Sequence, residues 1–314
     1  MPRAAVWDLG SSSFQVLVCD ADECGGLQPV MRRRALLNLG LSVGAKGAIP
    51  AERIAASLAA VKRLRSGLDE ARPDVVVALA TAALRDADNG EEVVARLERH
   101  VGRPIRILDG EHEARLCFIG QRGGVWMGQG PTAGVDLGGG SFEVAVGQGP
   151  EILLAASAPV GATRLRGELA LGDTLDAADR SAIRARTAMA AAGLATALAV
   201  FPGVTRRTVV SGGTARALAR LATARLGDRE GQGSGDVRQV ELPAGQVDEL
   251  AEHLAGLDLK RRLALPGMPP RRAAMLPVGA SILSTIADEL AVERFVVSVW
   301  GLREGALLDA LSRL

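Results

Sequence analysis

Val6-Trp7-Asp8-Leu9-Gly10-Ser11-Ser12-Ser13-Phe14-Gln15-Val16-Leu17-Val18 aligns without a gap on Gly134-Val135-Asp136-Leu137-Gly138-Gly139-Gly140-Ser141-Phe142-Glu143-Val144-Ala145-Val146. Asp8 and Asp136 stand 128 residues apart, close to the length of one domain. Each copy reads as an apolar strand, a Gly/Ser turn and a second strand with β-branched residues at alternate positions, which predicts a β-hairpin opening a domain. A hairpin repeated at this separation predicts duplicated lobes.

The sequence between and beyond the hairpins alternates helix and strand patterns. In the first half, helices are expected over Pro50–Glu70 and Glu91–Val101, strands over Asp74–Ala80 and Ile105–Leu108, and Glu111 opens a further helix. In the second half, Ala177–Ala199, Thr214–Arg225, Pro277–Glu289 and Leu302–Leu314 read as helices, with strands at Thr208–Val210 and Phe295–Val299. This predicts an α/β fold of two lobes, residues 1–124 and 125–301, with the helix 302–314 packing back on the first. Gly227–Asp236, rich in Gly and charge, is expected to be a surface loop.

A chain of 314 residues with 48% hydrophobic and 23% charged residues can bury a sizeable core. Aromatics are 3% and Tyr is absent, so that core must be built mainly from Ala, Val, Leu and Ile. Lys is scarce, so any anion site will be made of guanidinium groups. A net charge of +1 argues against nucleic-acid binding through an overall basic field. Cys19, Cys24 and Cys117 have neither zinc-site spacing nor an even count, and are read as small buried hydrophobes. The N-terminal apolar run is too brief for a signal peptide, and Met189–Phe201 is too short to span a membrane. A cytoplasmic protein with no membrane partner is expected.

The repeated turn carries chemistry. Small residues let the backbone approach an anion, and successive N–H groups form a nest for phosphate oxygens, to which hydroxyls add donors. Gly10, Ser11, Ser12 and Ser13 in one loop, and Gly138, Gly139, Gly140 and Ser141 in the other, are therefore candidate phosphate ligands. An Asp at the strand end can hold a divalent ion beside that phosphate. Gln15 corresponds to Glu143, which leaves the second loop richer in carboxylate, so Asp136 and Glu143 are assigned the metal, with Asp8 assisting. Magnesium is the expected cation, with manganese as a substitute. Thr81 and Arg85 follow the strand Asp74–Ala80 at the carboxyl edge of a sheet, where α/β proteins bind ligands, and Arg85 can grip phosphate. The acids of Asp109-Gly110-Glu111-His112-Glu113, taken alone, read as caps and dipole partners in a first helical turn.

An ordered series of further motifs accompanies the loops: Ala80-Thr81-Ala82-Ala83-Leu84-Arg85-Asp86-Ala87-Asp88-Asn89, Gly110-Glu111-His112-Glu113-Ala114-Arg115-Leu116, Pro159-Val160-Gly161-Ala162-Thr163-Arg164-Leu165, Ser211-Gly212-Gly213-Thr214-Ala215-Arg216 and Ser298-Val299-Trp300-Gly301-Leu302-Arg303-Glu304-Gly305. With them the chain resembles, nearly end to end, the exopolyphosphatase and guanosine pentaphosphate phosphohydrolase (Ppx/GppA) family of the actin-like ATPase superfamily. The resemblance implies two actin-like (ribonuclease H-like) lobes with a cleft between them. It implies that Glu113 is the catalytic carboxylate that orients or deprotonates the attacking water, reversing the capping reading at that residue. It matches Asp136 and Glu143 to metal-associated acids and Gly212, Gly213 and Thr214 to a further phosphate loop. Ser12 replaces the Asn usual in the family, and His112 stands where another acid is common. The C-terminal helical domains of longer relatives are not expected, and a homodimer is.

The substrate implied is inorganic polyphosphate, with guanosine pentaphosphate as the alternative. Polyphosphate calls for a basic channel, for which Arg32-Arg33-Arg34, Arg261-Arg262 and Arg271-Arg272 are candidates, although each run alone reads as a solvated face. An actin-like acetate or sugar kinase, or a non-catalytic filament-forming ATP-binding protein, would share both loops.

Overall fold

The computed structural model describes residues 2–22, 25–230 and 236–313. Its first half contains β1 (Arg3–Leu9), β2 (Ser13–Ala21), β3 (Leu27–Leu36), α1 (Leu39–Lys46), α2 (Ala51–Ala71), β4 (Val75–Ala80), α3 (Ala82–Arg85), α4 (Gly90–Val101), β5 (Arg106–Ile107) and α5 (Gly110–Gly124). The second half continues with β6 (Thr132–Leu137), β7 (Phe142–Gln148), β8 (Glu151–Ala158), α6 (Ala162–Glu168), α7 (Ala177–Leu198), β9 (Arg207–Gly212), α8 (Gly213–Glu230) and β10 (Glu241–Pro243). It ends with α9 (Ala244–Ala255), α10 (Leu259–Leu263), α11 (Leu276–Glu289), β11 (Arg294–Val297) and α12 (Leu302–Leu311).

The repeat seen in the hairpins extends to topology. The first sheet runs β3-β2-β1-β4-β5, antiparallel at β3-β2-β1 and parallel at β1-β4-β5. The second repeats that order as β8-β7-β6-β9-β11 with the same directions, and adds β10 antiparallel at its edge. The fold is therefore α/β with two ribonuclease H-like sheets. Phe14 and Phe142, equivalent in the repeat, are both fully buried beneath their turns. Burying each stabilises its hairpin by roughly 1.5–3 kcal/mol.

Trp7, Phe14 and Val16 face a core closed by Ile54, Val61 and Leu64 of α2 and by Val93 and Leu97 of α4. The opposite face of the first sheet, with Val6, Leu17 and Leu79, is covered by Leu116 of α5 and by Ala306 and Leu307 of α12. Helix α5 also lies against the second sheet, where side chains on Gly134 or Gly147 would collide with Phe118. It thus touches both sheets.

Among the boundaries that differ from the sequence expectation, two change an element's extent near a loop. The last strand stops at Val297, so Ser298–Gly301 forms a loop, held by Trp300 N–H donating to Ser298 Oγ at 3.1 Å. Helix α8 continues through Glu230, so the expected loop begins later than Gly227, and residues 231–235 lie outside the described residues. Cys19 and Cys117 are buried free thiols, as the sequence reading holds, and Cys24 lies outside the described residues. Among the described residues no helix is long and apolar enough to cross a membrane.

Candidate active site

The two hairpin turns close alike. Gly10 N–H donates to Ser13 O at 3.2 Å, and Gly138 N–H donates to Ser141 O at 3.0 Å. The turns also touch, since a Cβ on Gly139 would collide with Ser12 Oγ and one on Gly140 with Ser11 Oγ. Between them lies a cleft of about 120 Å³. It is lined by Asp8, Gly10, Ser11, Ser12, Ser13, Thr81, Glu113, Asp136, Gly138, Gly139, Gly140, Ser141, Gly212 and Gly213.

An anion here would meet repulsion from the turn carbonyls unless their lone pairs were engaged. Leu37 and Asn38 N–H both donate to Ser12 O, at 3.1 and 3.0 Å, and Gly40 N–H donates to Ser11 O at 3.0 Å. In the second turn Gly139 O accepts from Thr163 Oγ1 (2.7 Å) and from the N–H groups of Thr163 and Arg164, both at 2.9 Å. The starts of α1 and α6 thereby occupy the acceptors on both sides, which favours an anion between the turns. Two hydroxyls also have structural duties, because Ser11 Oγ accepts from Ala83 N–H at 3.0 Å and Ser13 Oγ accepts from Arg34 Nε at 3.0 Å. Each keeps a proton to donate.

The pairing register explains why Gln15 and Glu143 differ in consequence. Asp8 stands opposite Gln15, and Gln15 Nε2 donates to Asp8 Oδ2 at 3.3 Å. Asp136 stands opposite Glu143, two carboxylates where like charges repel without a cation. Asp136 Oδ1 accepts from Ser211 Oγ at 2.6 Å, and Ser211 Oγ in turn accepts from Gln121 Nε2 at 2.7 Å. Glu143 Oε1 accepts from Ser157 Oγ at 2.9 Å. Burial, reinforced by Glu113 and Asp136, pushes the Glu143 carboxyl well up. Burial also raises Asp8 to about 6, against the opposing pull of Arg303 and Arg34.

The acidic stretch at the start of α5 divides into three roles. Asp109 caps the helix, accepting from His112 N–H at 2.8 Å, and its other oxygen meets His112 Nδ1 at 2.7 Å. Glu111 pairs with Arg115 on the surface at 2.9 Å. The capping reading thus describes Asp109 and Glu111, and His112 is exposed outside the cleft. Only Glu113 turns inward, where it is 6% exposed. Burial pushes its carboxyl up to about 7, Arg85 opposes this, and Asp136 and Asp8 add to it.

Arg85 does not line the cleft. Its Nη1 donates to Glu113 Oε2 at 2.8 Å and to Leu108 O at 2.9 Å, and its Nε donates to Asp86 Oδ1 at 3.1 Å. Asp86 also pairs with Arg164 of the α6 segment. The structure therefore places Arg85 behind the Glu113 carboxylate, outside the cleft lining. Thr214 is buried against Gly279 and does not itself line the cleft, while Gly212 and Gly213 do.

Sequence reasoning gave no site role to Gln15, Ser211, Arg216 and Arg303, which line the cleft together with Arg34 and Arg272 from two of the expected arginine runs. Arg303 Nη1 donates to Gln15 Oε1 at 2.5 Å and its Nε lies 3.9 Å from Asp8 Oδ2. A groove of about 360 Å³ runs on from the cleft, sharing Gln15, Arg34, Gly213, Arg216, Arg272 and Arg303 with it. Arg32, Arg33, Arg220 and Arg271 extend it. Burial followed by crowding with other arginines lowers Arg272 to about 9, and burial with Arg303 nearby lowers Arg216 to about 10. Such crowding of cations calls for an anion.

Of the three arginine runs, Arg32-Arg33-Arg34 and Arg271-Arg272 thus meet at one groove. Arg261-Arg262 does not: the Arg262 side chain is fully buried, donating to Asp173 O at 3.1 Å and pairing with the Asp173 carboxylate. Arg262→Ala is expected to lower unfolding free energy by about 1–3 kcal/mol, because it empties a buried site and strands a partly exposed carboxylate. Denaturant unfolding should show this loss, with unchanged KM for a polyanionic substrate.

Comparison with known proteins fits this geometry. The sequence pattern of the Ppx/GppA phosphatase family matches residues 17–314. An uncharacterized protein of Streptomyces coelicolor is 32% identical over 98% of this chain and 89% of its own. Exopolyphosphatase 1 of Mycobacterium tuberculosis is 30% identical over 98% of this chain and 88% of its own. The crystal structure of an exopolyphosphatase from Cytophaga hutchinsonii superposes with a TM-score of 0.87 at 25% identity, covering 99% of this chain and 98% of that one. With both turns, the inward glutamate and Asp136 lining one cleft, and Glu143 buried opposite Asp136 and outside the lining, the chain belongs to the Ppx/GppA phosphatase family and is a phosphoanhydride hydrolase.

Proposed function

We propose that the protein is an exopolyphosphatase that removes orthophosphate from the end of an inorganic polyphosphate chain. The observation that carries this reading is the arginine groove opening directly from the phosphate cleft. A linear polyanion fills both, with its terminal phosphate between the turns and its tail along Arg34, Arg216, Arg272 and Arg303. Among the described residues no aromatic side chain lines the groove to stack a purine, which favours polyphosphate over guanosine pentaphosphate.

In the reaction, Glu113 orients a water molecule and accepts its proton as the water oxygen bonds to the terminal phosphorus. The bridging P–O bond breaks, giving orthophosphate and a chain one unit shorter. Turn amides and the arginines stabilise charge on the equatorial and leaving oxygens. Arg85 fixes the Glu113 carboxylate from behind. Asp136 and Glu143, with Asp8 across the cleft, form a donor set of hard oxygens that suits magnesium or manganese. Such an ion, when bound, neutralises phosphate charge.

The test is phosphate release from long polyphosphate, guanosine pentaphosphate and ATP, measured in parallel for wild type and Glu113→Ala. Polyphosphate should be the fastest substrate and the variant inactive on it. Wild-type rates in the variant would remove Glu113 from the mechanism. Turnover only of ATP with acetate or a sugar would make the protein a kinase.

A further inference from the structure

Glu113, Cys117 and Gln121 follow one another at intervals of four along α5 and so share one face of the helix. That face meets Asp136: Gln121 holds it through Ser211, and Cys117 Sγ donates to Asp136 Oδ2 at 3.5 Å. Cys117 Sγ, an Asp136 oxygen and a Glu143 oxygen all lie within 4.8 Å of one another. A tetrahedral ion with bonds of about 2.2 Å needs ligand atoms about 3.6 Å apart, close to the separation of Cys117 and Asp136.

We propose that Cys117 gives the cation position a soft ligand, so that a thiophilic divalent ion such as zinc or cadmium binds there through Cys117, Asp136 and Glu143. This rests on the reading of Asp136 and Glu143 as metal acids. Magnesium gains nothing from sulfur, whereas zinc and cadmium bond strongly to thiolate. On binding, the S–H bond breaks, sulfur keeps the electron pair and the proton leaves to solvent. The thiophilic ion displaces the activating one, and the hydrolase becomes sensitive to zinc through a residue that touches no phosphate.

Cobalt(II) titrated into the full-length protein reports the ligand directly, because a cobalt–thiolate bond gives a charge-transfer band in the near ultraviolet. One equivalent should produce that band in wild type and none in Cys117→Ser. The variant should bind zinc about 10–100-fold more weakly, while manganese binding stays within about threefold. A wild-type protein that binds cobalt without the band, or a variant that keeps the band or the zinc affinity, overturns the proposal. Asp136→Asn separates the two readings. If wild type binds cobalt with the band and Asp136→Asn still binds manganese as wild type does, the metal-acid reading fails, and the three-ligand site with it. If manganese binding is lost in Asp136→Asn while wild type shows no band, only the role of Cys117 fails.

Discussion

Glu113→Gln is expected to lower kcat for phosphate release by about 10²–10⁴-fold, the usual contribution of a positioned general base. KM should stay within about threefold, because the substrate's charge is met by arginines and turn amides elsewhere. Glutamine keeps the shape of the side chain and its contact with Arg85 but cannot take a proton. The pH dependence of kcat/KM supplies a second readout. Burial raises Glu113 to about 7, and a base must be deprotonated to act. The wild-type rate should therefore fall as pH drops through about 7 in the free enzyme, and Glu113→Gln should lose this limb. Glu113 and Glu143 interact, so the limb belongs to the pair and not to one residue. Arg85 opposes the rise, so Arg85→Ala should move the limb to higher pH. An Arg85 that bound only phosphate would instead raise KM and leave the limb in place.

The hairpin repeat made the architecture legible, because period-two apolar strands around a Gly/Ser turn admit few structures, and duplication at domain spacing implies two sheets. The same alignment exposed the Gln15/Glu143 difference, which becomes an acid–amide pair in one hairpin and an acid–acid pair in the other. Glu113 was not legible from local physics, since its neighbours Asp109 and Glu111 do what such acids usually do at a helix start. What separates it is its position on the inward face of α5, set by packing between the two sheets. The sequence offered Arg85 as a phosphate ligand because it follows a strand end, but gave no sign of its contact with Glu113. Its partner lies 28 residues away, in a contact that only the tertiary fold makes. Gln121 and Ser211, 90 residues apart, gave no sequence signal for the same reason. The arginines show the limit most directly: Arg34, Arg216, Arg272 and Arg303 come from four elements or loops, and no window of sequence contains their groove.

That convergence leads to the other large effect, expected for Arg34→Ala combined with Arg272→Ala. Arg272 borders cleft and groove alike, and burial among other arginines lowers its affinity for its own proton to about pH 9. Its charge is therefore unfavourable in the free protein and relieved by a phosphate chain. Arg34 is tied to the first turn through Ser13, so its removal loosens the turn as well as the groove. At about 1.5–3 kcal/mol for each charge-assisted contact, the double variant should raise KM for long polyphosphate by about 10²–10⁴-fold. Tripolyphosphate, too short to run far along the groove, should lose much less. Each phosphate contact removed should also flatten the dependence of log binding on log salt by roughly one, as for other polyanions that shed counterions on binding. The three measurements separate the possible causes. A damaged catalytic cleft lowers kcat equally for short and long chains, whereas a damaged groove raises KM for long chains and reduces the salt slope. Equal losses for tripolyphosphate and long polyphosphate, with an unchanged salt slope, would take the groove out of substrate binding and leave the cleft alone to hold the chain.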